Sequence, residues 1–402
     1  MRILFQLVLF FGLFVLSSCG GGSGAVTYTL GGTVTGLTSG TLVVKNNSGD
    51  ALTVATNSSS FTFSTSLASG AAYAVTVGTQ PSGLACSVSN GTGTVAGVNV
   101  TTVVVACVSP WTGTKQLGVA GKTTVGQSVT TDTSGNVYVA GYTTGGLDGN
   151  ALTGIADLYV SKYNSSGIKQ YTKQLGVAGQ KTNGSSVATD ASGNVYVAGS
   201  TTGGLDGNAL TGTIDFFVTK YDGSGVKQYT KQLGVAGQAT IGHSVTTDAS
   251  GNVYVAGSTD GGLDGNTLTG TSDFFVTKYD SSGAKQNTKQ LGVAGKYTIG
   301  NSVTTDTSGN VYVAGSTDGG LDGNALTGTF EFFVTKYDSS GVKQNTKQFG
   351  VAGKEAIGTS VTTDTSGNEY VAGYTTGGLD GNALTGTFDF FVTKYNSGGV
   401  KQ

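Results

Sequence analysis

SVTTDTSGNVYVAGYTTGGLDGNALTG, residues 128–154, decides how the chain is read, because it returns four more times with few changes. The marker TKQLG or TKQFG places a lysine at Lys115, Lys173, Lys231, Lys289 and Lys347, 58 residues apart at every step and without an insertion. Self-similarity at a fixed period indicates a solenoid or a propeller and outranks any local motif. Each unit contains four strand signals. SVTTD (128–132) is followed by the Thr133-Ser134-Gly135 turn and NVYVAGY (136–142). A longer loop, 143–156, carries GGLDGNALTG into DLYVSKY (157–163), and an Asn164-Ser165-Ser166-Gly167 turn precedes IKQYTKQLG (168–176). No stretch has apolar residues at helical spacing, and glycine is too frequent for a helix. Four antiparallel strands per repeat describe one propeller blade, whereas a β-helix would use shorter rungs.

Polarity along the unit agrees. The first strand is made of small residues suited to a crowded channel edge, the second and third are apolar as if sandwiched between neighbours, and the fourth is polar, with lysines that discourage edge pairing. The expected fold is all-β, a five-bladed β-propeller (110–402) preceded by a small β-sandwich. Val400-Lys401-Gln402 matches Ile168-Lys169-Gln170, so the fifth unit lacks half of its outer strand, and Gly113–Gly118 supplies the missing sequence. That segment is expected to complete the last blade and latch a closed monomeric ring; an open arc, or a ring completed by a second chain, are the alternatives.

GNVYVAGYTTGG followed by DFFVTKYDGSGVKQYTKQLG resembles the bacterial SBBP-type β-propeller repeat, and the resemblance covers Gly113–Gln402. It implies an extracytoplasmic propeller and brings no agreed catalytic residues. Glu369 departs from the pattern, standing where the other units have valine, so a charge falls in a strand expected to be packed.

The N-terminal region has three parts. Residues 1–18 have the proportions of a secretory signal, with Arg2 before an apolar run too short for a comfortable membrane span. Leu16-Ser17-Ser18-Cys19 resembles a bacterial lipobox, which implies cleavage before Cys19, acylation of Cys19 and attachment to a membrane; an ordinary signal peptide or an uncleaved anchor is the alternative. Residues 19–25 read as a Gly/Ser tether. Residues 26–109 contain two charged residues, Lys45 and Asp50, and seven or eight short strands, the density of a small β-sandwich. They look like the immunoglobulin-like or transthyretin-like spacers of bacterial surface proteins. Cys86 and Cys107 form an even pair in this domain and are expected to join as a disulfide, two buried thiols being the alternative.

Composition works mostly by exclusion. A net charge of −2 with 11% charged residues leaves no basic footprint for nucleic acid. The single histidine, His243, shares a repeat position with Gln127, Ser185, Asn301 and Thr359 and reads as a loop residue, which leaves little room for histidine-based catalysis. No Walker loop, GxSxG elbow or CxxC occurs.

Three carboxylates recur in every unit. Asp132, Asp190, Asp248, Asp306 and Asp364 precede the SGN turn and read as Asx caps more readily than as ligands. Asp157, Asp215, Asp273, Glu331 and Asp389 open the third strand. The third set lies in LDGN: Asp148 and Asn150, Asp206 and Asn208, Asp264 and Asn266, Asp322 and Asn324, Asp380 and Asn382. These ten residues are the candidate binding face. LDGN is either a tight turn or a loop whose oxygens could hold Ca²⁺; it lacks the EF-hand pattern, and neither a metal nor another cofactor is assigned. In a four-stranded meander the LDGN loop and the inter-blade connection emerge on one side, and there the copies differ most, in KTTVGQ, QKTNGS, QATIGH, KYTIGN and KEAIGT. Because the units are nearly interchangeable, a single asymmetric catalytic centre is disfavoured and a repeated weak site gaining by avidity is favoured. The expected function is that of a non-enzymatic envelope lipoprotein, on the outer membrane and surface-exposed, binding a protein, matrix or glycan partner. A structural or assembly component of the envelope, or a glycan-active hydrolase, are the competing readings.

Overall fold

The computed structural model describes residues 26–402. The signal segment, the lipobox with Cys19 and the tether lie outside the described residues. The chain divides at Pro110 into two compact units.

The first unit is built from β1 (Thr27–Tyr28), β2 (Leu30–Thr35), β3 (Leu42–Asn46), β4 (Asp50–Val54), β5 (Ser60–Thr62), β6 (Leu67–Ala68), β7 (Ala72–Thr79), β8 (Ala85–Ser89), β9 (Thr92–Thr94) and β10 (Val100–Val108). Two four-stranded sheets, ordered β5-β2-β10-β8 and β4-β3-β7-β9, enclose one core that includes Leu30, Val44, Val75, Val103 and Val105. Alternation along β3, with Leu42, Val44 and Asn46 inward, is what a strand with one wet face requires. β10 runs parallel to β2 and antiparallel to β8. Cys86 on β8 lies directly opposite Cys107 on β10, with Cα atoms 4.0 Å apart, and the two are joined as the expected disulfide.

The second unit is a five-bladed β-propeller of antiparallel meanders. Blade one contains Thr124–Thr131, Val137–Thr143, Asp157–Tyr163 and Lys169–Leu175, and blades two to four repeat this order. The third strand, DLYVSKY, has the expected bounds. The first begins four residues earlier than its sequence suggests, because Thr124–Gly126 pairs with the end of the second strand. First strands lie innermost and touch across blades: Val187 N donates to Ser128 Oγ at 3.1 Å, and Thr189 Oγ1 donates to the Thr131 carbonyl at 2.9 Å.

Burial explains the composition of the second and third strands. In blades three and four every residue of VYVAGST is buried, since both faces are covered. Stacked phenylalanines join adjacent sheets: Phe216 on Phe275 at 4.8 Å, Phe274 on Phe333 at 5.1 Å and Phe332 on Phe391 at 4.7 Å. Blades one and five show interrupted burial instead, because each has one uncovered face.

The expected latch is not made. Gly113–Gly118 forms no strand, and blade five has three, Ala356–Thr363, Glu369–Thr375 and Asp389–Tyr395. The N-terminal segment stays on blade one, where the Trp111 ring lies 5.8 Å from Tyr163 and the Lys115 ammonium sits over Trp111. Packing between sheets sets the angle from blade to blade, and four such steps leave both end faces open: Val129 is 65% exposed at one end and Phe390 87% at the other. The array is therefore an open arc.

Candidate binding face

Each recurrent acid is engaged by its own blade. Before the SGN turn, Asp190 Oδ1 accepts from the backbone N–H groups of Ser192 and Asn194, both at 2.9 Å. Its Oδ2 accepts from Asn194 Nδ2 at 2.7 Å and Tyr196 Oη at 2.9 Å. Burial works against ionisation of Asp190, but these bonds, the Asn194 side chain foremost, outweigh it and hold the carboxyl below its usual range. The Asx-cap reading holds, with a tyrosine tether added.

The acid that opens the third strand clasps the long loop. Asp215 is fully buried and accepts from Thr211 N (2.8 Å), Gly212 N (2.8 Å) and Gln232 Nε2 (3.0 Å). Gln232 also accepts from Leu205 N at 2.8 Å, tying loop to outer strand. Gly234 must lack a side chain because a methyl there would overlap Asp215 Oδ1. In blade four Glu331 makes the same clasp through Thr327 N, Gly328 N and Gln348 Nε2.

The LDGN residues chosen from sequence are brought to one side, where the five aspartates stay exposed but bond to residues of their own blade. Asp148, Asp206, Asp264, Asp322 and Asp380 all adopt a left-handed backbone, with φ between 54° and 57°, which aspartate tolerates. Each pairs with a lysine at the start of the outer strand: Lys169, Lys227, Lys285, Lys343 and Lys401 respectively. The Lys169 ammonium holds the Asp148 carboxyl below its usual range. The amides of Asn150, Asn208, Asn266, Asn324 and Asn382 donate to the carbonyl of the preceding LDGN leucine, at 2.7 or 2.8 Å. Among the described residues no group of three or more His, Cys, Asp or Glu gathers as a metal would need.

The varying positions are arranged differently. In every first strand the register shifts by one residue, between Gly126 and Ser128 in blade one and at the matching places in the other four. The extra residue of this β-bulge is Gln127, Ser185, His243, Asn301 or Thr359. His243 is thus a strand residue, and its expected place in a loop is corrected: a varying position between glycine and serine looks like a turn, but Gly257 lets the second strand pass close to the bulge, where a methyl would strike the Ile241 carbonyl. Bulges re-aim a side chain. His243 Nε2 lies 3.3 Å from Ser258 Oγ, and burial lowers the affinity of its imidazole for a proton. Asn301 Nδ2 donates across to the Gly358 carbonyl at 2.8 Å.

Between blades four and five, on the LDGN side, these positions line a groove of about 450 Å³. Ile299, Phe330, Ile357 and Tyr374 give it apolar walls, and Asn301 and Glu355 are among its polar groups. Tyr374 meets Phe388 edge to face at 5.6 Å. The varying column Ala156, Ile214, Ser272, Phe330 and Phe388, just before the third strand, was not singled out from sequence; comparing the units position by position would have found it.

The match to a repeat family agrees with the architecture. Residues 113–148, 170–206, 228–264, 286–322 and 344–380 match the SBBP β-propeller repeat. The regulatory protein FlaEY of Caulobacter vibrioides is 27% identical over 289 residues, 61% of this chain and 29% of that protein. The chain thus spans less than a third of that relative's length. A protein of unknown function from Bacteroides caccae aligns over 71% of this chain and 83% of its own, at 12% identity and a TM-score of 0.37. The β-propeller domain of the Trilobed protease from Pyrococcus furiosus aligns over 72% and 71%, at 8% identity and a TM-score of 0.34. An ulvan lyase of polysaccharide lyase family PL25 aligns over 71% and 72%, at 17% identity and a TM-score of 0.38. The five matched segments, each including the first two strands of one sheet, show the second unit to be an array of β-propeller repeats.

Proposed function

We propose that the protein is a lipid-anchored component of a bacterial envelope whose propeller binds a partner without transforming it. The observation that carries this reading is the division of labour within each unit. Acids that recur are engaged by turns, clasps and lysines of their own blade, whereas side chains that differ line a groove on the LDGN side. Rigid scaffolds that vary at one surface serve recognition, and a groove with apolar walls and few polar groups has the make-up of a binding site. Its aromatic residues and single carboxylate suit a protein segment carrying an apolar side chain beside a basic one, in preference to a glycan. Cys19 would hold the chain on the membrane, most plainly the outer membrane facing outward, and the immunoglobulin-like sandwich would space the propeller from it.

The test is capture from solubilised envelope extract by the full chain. Tyr374→Ala combined with Glu355→Lys should lower retention of the captured protein about tenfold or more, the loss of a binding hot spot, while Asp206→Asn should not. Cys19→Ala should move the protein from the membrane to the soluble fraction. Retention that survives the groove variants and is lost with the LDGN aspartates would reverse the assignment. Turnover of a polysaccharide, abolished by one carboxylate change, would replace binding with catalysis.

A further inference from the structure

Blades pack on one another by a fixed rule. Tyr196, Ala198, Phe216 and Val218 of blade two bury against Val245, Val253, Val255, Leu263, Phe275 and Tyr279 of blade three. The same positions meet at the other three junctions, except that Glu369 replaces one valine in blade five. Blade five has the donating set, Tyr370, Ala372, Phe390 and Val392, and Phe390 and Val392 are largely exposed. Blade one has the receiving set: Val129, Val137, Val139, Leu147, Tyr159 and Tyr163. All six line one cavity of about 540 Å³, whose remaining wall includes Gly113–Leu117.

Hydrogen bonding in blade five is incomplete in a matching way. In blades one to four a glutamine of the outer strand, Gln174, Gln232, Gln290 or Gln348, donates to the third-strand acid and accepts from the LDGN leucine N–H. Among the described residues no glutamine reaches Asp389 or Leu379. Thr114, Lys115, Gln116 and Leu117 repeat the outer-strand residues Thr172, Lys173, Gln174 and Leu175. They also lie against blade one as an outer strand lies against the next blade: Lys115 and Trp111 approach Gly167 much as Lys173 and Tyr171 approach Gly225.

We propose that the open end of blade five is an interaction surface for a second copy of this chain, docking head to tail into the blade-one cavity. Phe390 and Val392 fill the cavity, and residues 113–118 of the second copy add to Asp389–Tyr395 as its fourth strand. In that register Gln116 stands opposite Phe391 with its amide in reach of Asp389, as Gln232 stands opposite Phe217 and donates to Asp215, and Thr114 stands opposite Thr393, as Thr230 stands opposite Thr219 with hydroxyls 3.1 Å apart. Strand addition to an open edge with pockets for alternate side chains is an established recognition mode. A second copy is the occupant because its blade one continues an interface already made four times in each chain, and the two ends of one arc do not meet. The contact is heterologous, so each copy leaves another head and tail free.

The test measures the mass of the purified full chain against concentration, and traps the register with cysteines. Mass should rise by whole copies, and Phe390→Asp should weaken association roughly 30-fold or more. Phe390 is exposed in the single chain, so this variant should melt as the parent does. Thr114→Cys chains mixed with Thr393→Cys chains should yield a disulfide joining the two peptides between chains. A mass of one chain at every concentration, association indifferent to Phe390→Asp, or a Thr114→Cys/Thr393→Cys double variant that links within one chain at high dilution would each overturn the proposal, the last by showing that the arc closes on itself.

Discussion

Lys347→Met should destabilise the propeller by about 3–5 kcal/mol at neutral pH, the cost of leaving one member of a buried ion pair alone. Glu369 stands in a strand where the other blades have valine and is fully buried. Its Oε1 is 3.5 Å from the Lys347 ammonium, and its Oε2 has no partner. Lys347 also donates to Asn345 Oδ1 at 2.9 Å and lies over the Tyr395 ring. Burial raises the pKa of Glu369, and Lys347 pulls it back only in part. A carboxyl whose folded pKa is raised binds its proton more tightly when folded, so its cost is absent below the ordinary glutamate pKa and grows as pH rises through the raised value. The variant should therefore regain stability on acidification through that window, which melting at a series of pH values would reveal. Glu369→Val should be neutral or stabilising by about 1–2 kcal/mol, because it restores the apolar contact of the other blades. A Lys347→Met variant as stable as the parent at every pH would mean that the carboxylate reaches water.

Asp215→Ala should cost about 3 kcal/mol or more, since it strands the N–H groups of Thr211 and Gly212 and the amide of Gln232, at ~1 kcal/mol or more each. Asp206→Asn, nine residues earlier in the same loop, should cost about 0–1 kcal/mol, because its lysine pair is partly exposed. Two aspartates of one loop thus differ several-fold in their effect on the melting midpoint. Equal effects would show that the clasp is not made.

The repeat period and the residue chemistry of DLYVSKY located every third strand, because β-branched and aromatic residues buried on both faces leave an unbroken apolar run. The disulfide was also legible, as an even pair on two strand-like segments. Other features depend on contacts between residues distant in the unit. Asp148 pairs with Lys169 across the loop and outer strand, so LDGN alone looks like a free loop with oxygens to offer. The bulge at His243 hides in the same way, since the preceding Gly242 permits either a turn or a close strand approach. Residues 113–118 match the missing outer strand residue for residue, yet closure depends on the angle between blades. That angle is set by the packed Phe216, Phe274 and Phe332 columns and has no local signature.

The account rests on recurrent carboxylates being engaged within their own blades. Thermal melting of the full chain in calcium and in chelator tests this most directly, because an ion bound only by the folded state must raise the midpoint. Superimposable curves are predicted, the LDGN aspartates being held by their lysines. A midpoint that climbs with calcium, and ceases to climb when those five aspartates are changed to asparagine, would contradict it.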